Sequence, residues 1–206
     1  MTAPDPRPLL RTALDQVGAL VADTPADTPA DALDRPTPCT DWDVRALLGH
    51  LVGVHRRVAH VGAGGHFADV DAVPAVAAGT HAAEIATARA DIDRVWFLDD
   101  AVLDRVLTVP WGTMPGRFVG FGYVQELTVH AWDLAVATGR TAGLDPALAE
   151  AVEETAHRVL PAEPRGGPIP FDPPVPTAPD ADPYTRLVGW LGRDPAFATD
   201  GSLAER

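Results

Sequence analysis

The sequence contains no lysine, no asparagine and a single cysteine among 206 residues, so all 16 of its basic residues are arginine. Lys and Asn share A-rich codons, and their joint absence points to a GC-rich coding sequence, not to a function. One cysteine, Cys39, excludes an intramolecular disulfide framework and any Cys-rich zinc site. Positive charge is scarce: 29 acidic residues against 16 basic ones give a formal net charge of −13. Phosphate backbones and anionic membrane surfaces need clustered positive charge, so neither nucleic acid nor a membrane is expected as a partner. No apolar run approaches the roughly 18 residues of a membrane span. The first residues, MTAPDPRPLLRTALDQVG, lack the apolar core of a signal peptide, and a cytoplasmic protein is the expectation. Phosphate-cradling glycine loops, a nucleophile elbow and a dinucleotide fingerprint are also missing.

What is present is an ordinary apolar fraction, 46%, enough to bury a core, together with 21 prolines that punctuate the chain. Leu10, Ala13, Leu14, Val17, Leu20 and Val21 recur at helical spacing and stop before the prolines of TPADTPAD. A second helix is expected to start at Thr40 as N-cap, with Asp43 three residues on as a short capping box. Val44, Leu47, Leu48, Leu51, Val54, Val58 and Val61 form its apolar stripe, which ends near Gly62–Gly65. A third helix is predicted over 80–98, followed by an irregular or hairpin-like stretch around Pro110–Trp111–Gly112. A fourth starts after Pro115/Gly116 and runs to about Thr138, with Gly139 as a good residue to end it. A fifth opens on Asp145 and Pro146. Residues 161–183 read as a Pro-rich extended loop and 184–191 as a short closing helix. With no repeat and no βαβ alternation, the fold class is all-α: a bundle of four main helices with short extra helices. The bundle is assigned to residues 1–160, with 161–206 packing on it.

The fourth helix carries the most informative spacing. In FGYVQELTVHAWDLAVATG, Glu126 and His130 lie about 40° apart on one side, one turn separated, with Asp133 a turn further. Val119, Tyr123 and Ala137 share that strip and are apolar or amphipathic. A carboxylate and an imidazole are thus set into a face that looks buried, where ionisable groups need a partner or a metal. Spacing alone leaves two readings: a hydrogen-bonded Glu–His pair holding helices in register, or two ligands of one cation. On the second helix His50 and His55 flank the apolar stripe, about 140° apart, so both cannot face one ion. Val54 and Val61 beside His50 narrowly favour it. His60 points to the polar side, and His66, His81 and His157 are expected at the surface. Cys39 precedes a helix start, where a thiolate is favoured. Eleven residues of helix would put it about 16 Å from His50, so it reads as a structural thiol. The five tryptophans read as packing residues.

These segments bear a resemblance. PTPCTDWDVRALLGHLVGVHRRVA resembles the first motif of the mycothiol-dependent maleylpyruvate isomerase N-terminal family, part of the DinB-like metal-binding superfamily. QELTVHAWDLAVATGR is similar to its second motif, and YTRLVGWLGRDPAF to the tail of its single-domain members. The resemblance implies a DinB-like four-helix bundle with a divalent metal held by His50, Glu126 and His130. Zinc is the first expectation, with nickel, iron or cobalt also suited to this ligand set. It further implies a cytoplasmic, actinobacterial enzyme that activates a low-molecular-weight thiol, mycothiol, toward a small electrophilic substrate. Transfer to that substrate and its isomerisation are both open. Asp133 would orient His130, act as a base or cap local hydrogen bonds. Two alternatives stand beside this one. One is a metal enzyme using water or substrate as fourth ligand. The other is a non-catalytic metal-binding, stress-associated protein whose site is closed by His55 or Asp133. The isomerase has a second, C-terminal domain, and this chain ends after the Pro-rich loop and short helix. Maleylpyruvate isomerisation in particular is therefore not expected. Relatives of this fold often dimerise through helix faces, and the Trp-bearing segments could form such a homodimer.

Overall fold

The computed structural model describes residues 4–24, 28–167, 169 and 171–198. The described chain is mostly helical, as the sequence pattern requires: α1 (Arg7–Ala22), a one-turn α2 (Ala30–Leu33), α3 (Val44–Gly62), α4 (His81–Ile92), α5 (Gly116–Thr138), α6 (Pro146–Val159) and α7 (Pro183–Trp190). A hairpin of β1 (Val106–Val109) and β2 (Gly112–Pro115) connects α4 to α5. Around the bundle α1 packs on α5, α5 on α3, α3 on α4, and α4 on α1. This is the four-helix, DinB-like arrangement.

The apolar stripes become the core. Leu47, Leu51, Val58 and Val61 of α3 have no exposed surface, and neither do Leu10, Ala13 and Val17 of α1. Helix α5 is buried on nearly every side because α6 packs on it from outside the bundle, which accounts for its almost continuous apolar sequence. It stops at Gly139, whose φ of +72° is the left-handed conformation that ends helices without a Cβ penalty. Asp145 caps α6 and Asp182 caps α7, each accepting a backbone N–H.

Two boundaries differ from expectation. Thr40 is not the cap of α3. Residues 36–43 fold back on themselves, with Pro36 bridging Asp43, and the Thr37 hydroxyl donates to the carbonyls of Cys39 (3.0 Å) and Trp42 (2.7 Å). That turn delays the helix, and Asp43 takes the cap position, accepting the Ala46 N–H at 2.7 Å. The third predicted helix is regular only to Ile92 and then widens into a π-helical turn over Asp93–Phe97. The wider turn sinks Trp96 fully into the core, where its indole donates to the Val58 carbonyl at 2.9 Å.

His55 is not at the edge of the stripe but wholly inside it. Its Nδ1 donates to the Leu51 carbonyl at 2.7 Å, and its Nε2 has no partner among the described residues. Burial pushes its pKa down to about 4, and the Arg89 charge adds to the effect. The folded state therefore holds His55 neutral while the unfolded chain protonates it near the usual histidine value. Stability from this group is complete above about pH 6.5 and is lost as pH falls toward 4. The expected loss over that window is about 3 kcal/mol. Urea midpoints measured between pH 7 and pH 4.5 should fall in the native protein and stay flatter in His55→Leu. Parallel curves would refute this account.

Candidate metal centre

Three side chains from two facing helices meet where α3 crosses α5. Ligand-capable atoms of His50, Glu126 and His130 all lie within 4.8 Å of one another. His50 Nε2 stands 3.5 Å from Glu126 Oε1, and the His50 and His130 rings meet edge to face with centroids 4.7 Å apart. Two ligands about 2.1 Å from a tetrahedral zinc ion are about 3.4 Å apart, close to the His50–Glu126 separation.

The state of His50 is fixed from behind. Its Nδ1 lies 2.9 Å from the Ala72 carbonyl, which can only accept, so Nδ1 carries a proton. In the neutral ring Nε2 then presents a lone pair. That atom is buried and has no hydrogen-bond partner among the described residues. Across from it is a carboxylate, a second acceptor. Two acceptors facing each other at 3.5 Å require a cation between them, a proton or a metal ion. Burial pushes the Glu126 carboxyl up, but the His50 contact and the charges of His50, His130 and Arg57 outweigh it and hold it below the usual range. Glu126 is therefore a carboxylate, ready to ligate.

His130 is held in the same manner. Its Nδ1 donates to Asp133 Oδ2 at 2.9 Å, which leaves Nε2 free toward the cluster. Asp133 is completely buried. Arg193, immediately after the turn that follows α7, reaches its two oxygens at 3.3 and 3.2 Å. Burial raises the Asp133 pKa, and the His130 bond and Arg193 charge lower it further than burial lifts it. Of the three roles open to Asp133, its placement fits orientation of His130. Trp42 closes one side, its ring 4.1 Å from His50 and 5.4 Å from His130.

The loop that supplies the Ala72 carbonyl can lie on α3 only because Gly53 has no side chain. A Cβ there would sit 2.7 Å from the Ala72 carbonyl oxygen and 2.8 Å from that of Asp71. Gly53→Ala is therefore expected to push the loop away and release His50. Alanine is the better helix former by about 1 kcal/mol, so any loss of stability measures the clash itself. The expected fall in zinc affinity is about tenfold or more by chelator competition. Native affinity in this variant would show that the carbonyl does not set the ring.

The other candidates are separated. His55 faces the core, and Asp133 stands behind His130, so neither joins the cluster of three. Cys39 is a correction to the sequence reading. Because residues 36–43 fold back instead of extending a helix, its thiol lies within 4.8 Å of ligand-capable atoms of His130 and Asp133. Burial raises its pKa, so it remains a thiol there. His60 pairs with Asp69 and His66 is exposed. His157 is exposed but stacked on Trp190 at 3.9 Å. His81 is half-buried, not exposed as expected. Sequence reasoning missed Arg193 and the Ala72 carbonyl, which lie 60 and 22 positions from their partners. No local spacing encodes such contacts. Trp42 stood inside the first motif and Arg193 inside the tail segment YTRLVGWLGRDPAF, and those were the recoverable signals.

Residues 10–135 match the family described as the mycothiol maleylpyruvate isomerase N-terminal domain. The chain belongs to this family. Its relatives include two uncharacterized proteins of Mycobacterium tuberculosis, one from strain CDC 1551 and one from strain H37Rv. Each is 33% identical over 190 residues, covering 92% of this chain and 98% of the relative. No solved structure matches the chain. The family suggests mycothiol-related metal binding, and the ligand-like cluster found here suits a metal. No helix among the described residues is long and apolar enough to cross a membrane.

Proposed function

We propose that this protein is a divalent-metal-dependent enzyme that activates a low-molecular-weight thiol, mycothiol, for transfer to or isomerisation of a small electrophilic substrate. The observation that carries this reading is the facing pair His50 Nε2 and Glu126 Oε1, 3.5 Å apart, with His50 Nε2 buried and without a hydrogen-bond partner among the described residues. His50, Glu126 and His130 are the ligands, zinc is the favoured ion, and nickel, iron or cobalt fit the same donors. Bound there, a divalent ion supplies the positive charge that ionises a thiol near neutral pH.

The chain's own residues do the rest. Ala72 and Asp133 fix the tautomers of His50 and His130, so both rings present lone pairs. Glu126 lends one negative charge and lies at the rim, its side chain 18% exposed, with His130 beside it at 12%. Three protein ligands leave a position that a small molecule can take, the arrangement of catalytic and not structural zinc sites. The protein acts on a small molecule in the cytoplasm, independently of nucleic acid and membrane, and a homodimer is its proposed assembly.

Cobalt-substituted protein titrated with mycothiol tests this directly. A thiolate-to-cobalt charge-transfer absorption is expected near stoichiometric thiol, and its loss in His130→Ala. Cobalt-loaded protein whose spectrum ignores mycothiol would overturn the thiol assignment.

A further inference from the structure

Beside the three ligands, two more buried polar groups lack partners. Tyr123 lies on α5 one turn before Glu126, is fully buried, and its hydroxyl has no hydrogen-bond partner among the described residues. Arg57 lies on α3 two turns beyond His50, on the same face. It is only 7% exposed. Among the described residues its one hydrogen bond is a long one, Nη2 to the Val70 carbonyl at 3.4 Å, and its Nε is unpartnered. The two groups lie on the same side of the metal centre: Arg105 donates to the Gly62 carbonyl at the end of α3 and accepts from the Gly116 N–H at the start of α5, so the helices run antiparallel, and Arg57 lies from His50 in the direction that Tyr123 lies from Glu126. A guanidinium is all donor, and a neutral phenol offers an O–H. Two orphaned donors buried together need an acceptor.

Charge counting says what kind. A divalent ion with Glu126 and two neutral imidazoles carries one positive charge, and Arg57 raises the total to two. Asp133 and Arg193 cancel each other behind His130. A bound thiolate brings the total down to one, which a single negative charge would balance. We propose that Arg57 and Tyr123 form an anion subsite next to the metal centre, which receives a carboxylate of the second substrate. This rests on the metal-and-thiol reading above. A phosphate, with close to two charges, would overshoot the balance.

The probes are succinate, its neutral diamide and inorganic phosphate. Each is titrated calorimetrically into zinc-loaded protein with 2-mercaptoethanol at saturating concentration. Zinc affinity is measured first, so that failure to bind zinc refutes the metal reading and is not confused with failure here. Native protein should bind succinate about tenfold or more tightly than the diamide, and more tightly than phosphate. Arg57→Gln should lose about tenfold or more in succinate affinity, and Tyr123→Phe severalfold, with both variants still loaded with zinc. Equal binding of succinate and diamide by native protein would overturn the proposal, and needs no variant to fold. Native succinate affinity in Arg57→Gln would overturn it too, as would a preference for phosphate.

Discussion

Replacing His50 with alanine is expected to reduce zinc affinity by about 100- to 1000-fold and to remove most of the rise in Tm that zinc gives the native protein. The first half follows from the ligand count. Zinc binding to four-ligand sites is worth about 10–16 kcal/mol, or about 2.5–4 kcal/mol per ligand, and each 1.4 kcal/mol is a factor of ten. The second half separates the metal reading from the structural one. If His50 and Glu126 were a register-holding hydrogen bond, removing His50 would orphan a buried carboxylate and destabilise the apoprotein. That loss would be the same with and without zinc, whereas a lost ligand removes only the zinc-dependent part of the stability. Chelator competition reads the affinity, and thermal unfolding with and without zinc reads the stability. A native-like zinc shift of Tm in His50→Ala would sink the assignment.

How far the chain could be read in advance depended on the range of the forces involved. Helix α5 was legible at both ends because its signals are local: Pro115 and Gly116 at the start, Gly139 at the end. The Glu126–His130 pair was visible for the same reason, as one helix turn fixes its geometry. What spacing could not give was the partner across the bundle. His50 and His55 flank the same stripe at similar angles, and only the packing of α3 between α4 and α5 sends one to the site and the other into the core. The family resemblance chose His50, and the cluster found in the fold contains it. The start of α3 was misplaced because Thr40 and Asp43 are both good caps. The deciding contacts are the Thr37 hydroxyl bonds, which depend on the loop's own tertiary shape. Cys39 was displaced by the same error.

Asp133→Ala should cost the folded state about 3–5 kcal/mol. Asp133 is fully buried and shares its two oxygens between His130 and Arg193. Its removal strands a guanidinium whose side chain is only 18% exposed. It also frees the His130 ring to rotate or change tautomer, and zinc affinity should fall by about 10- to 100-fold. The two effects have different cures. Arg193→Met in the Asp133→Ala background removes the stranded charge, so the double variant should regain much of the lost stability. It should regain none of the zinc affinity, because nothing again holds His130 Nδ1. Asp133→Asn offers the converse: an amide oxygen can still accept from Nδ1, so affinity is retained better than stability. Measured by urea unfolding and chelator competition on the same four proteins, the two quantities should move independently. If affinity instead tracks stability through the whole set, Asp133 is only a structural strut, and its orienting role in the metal centre is refuted.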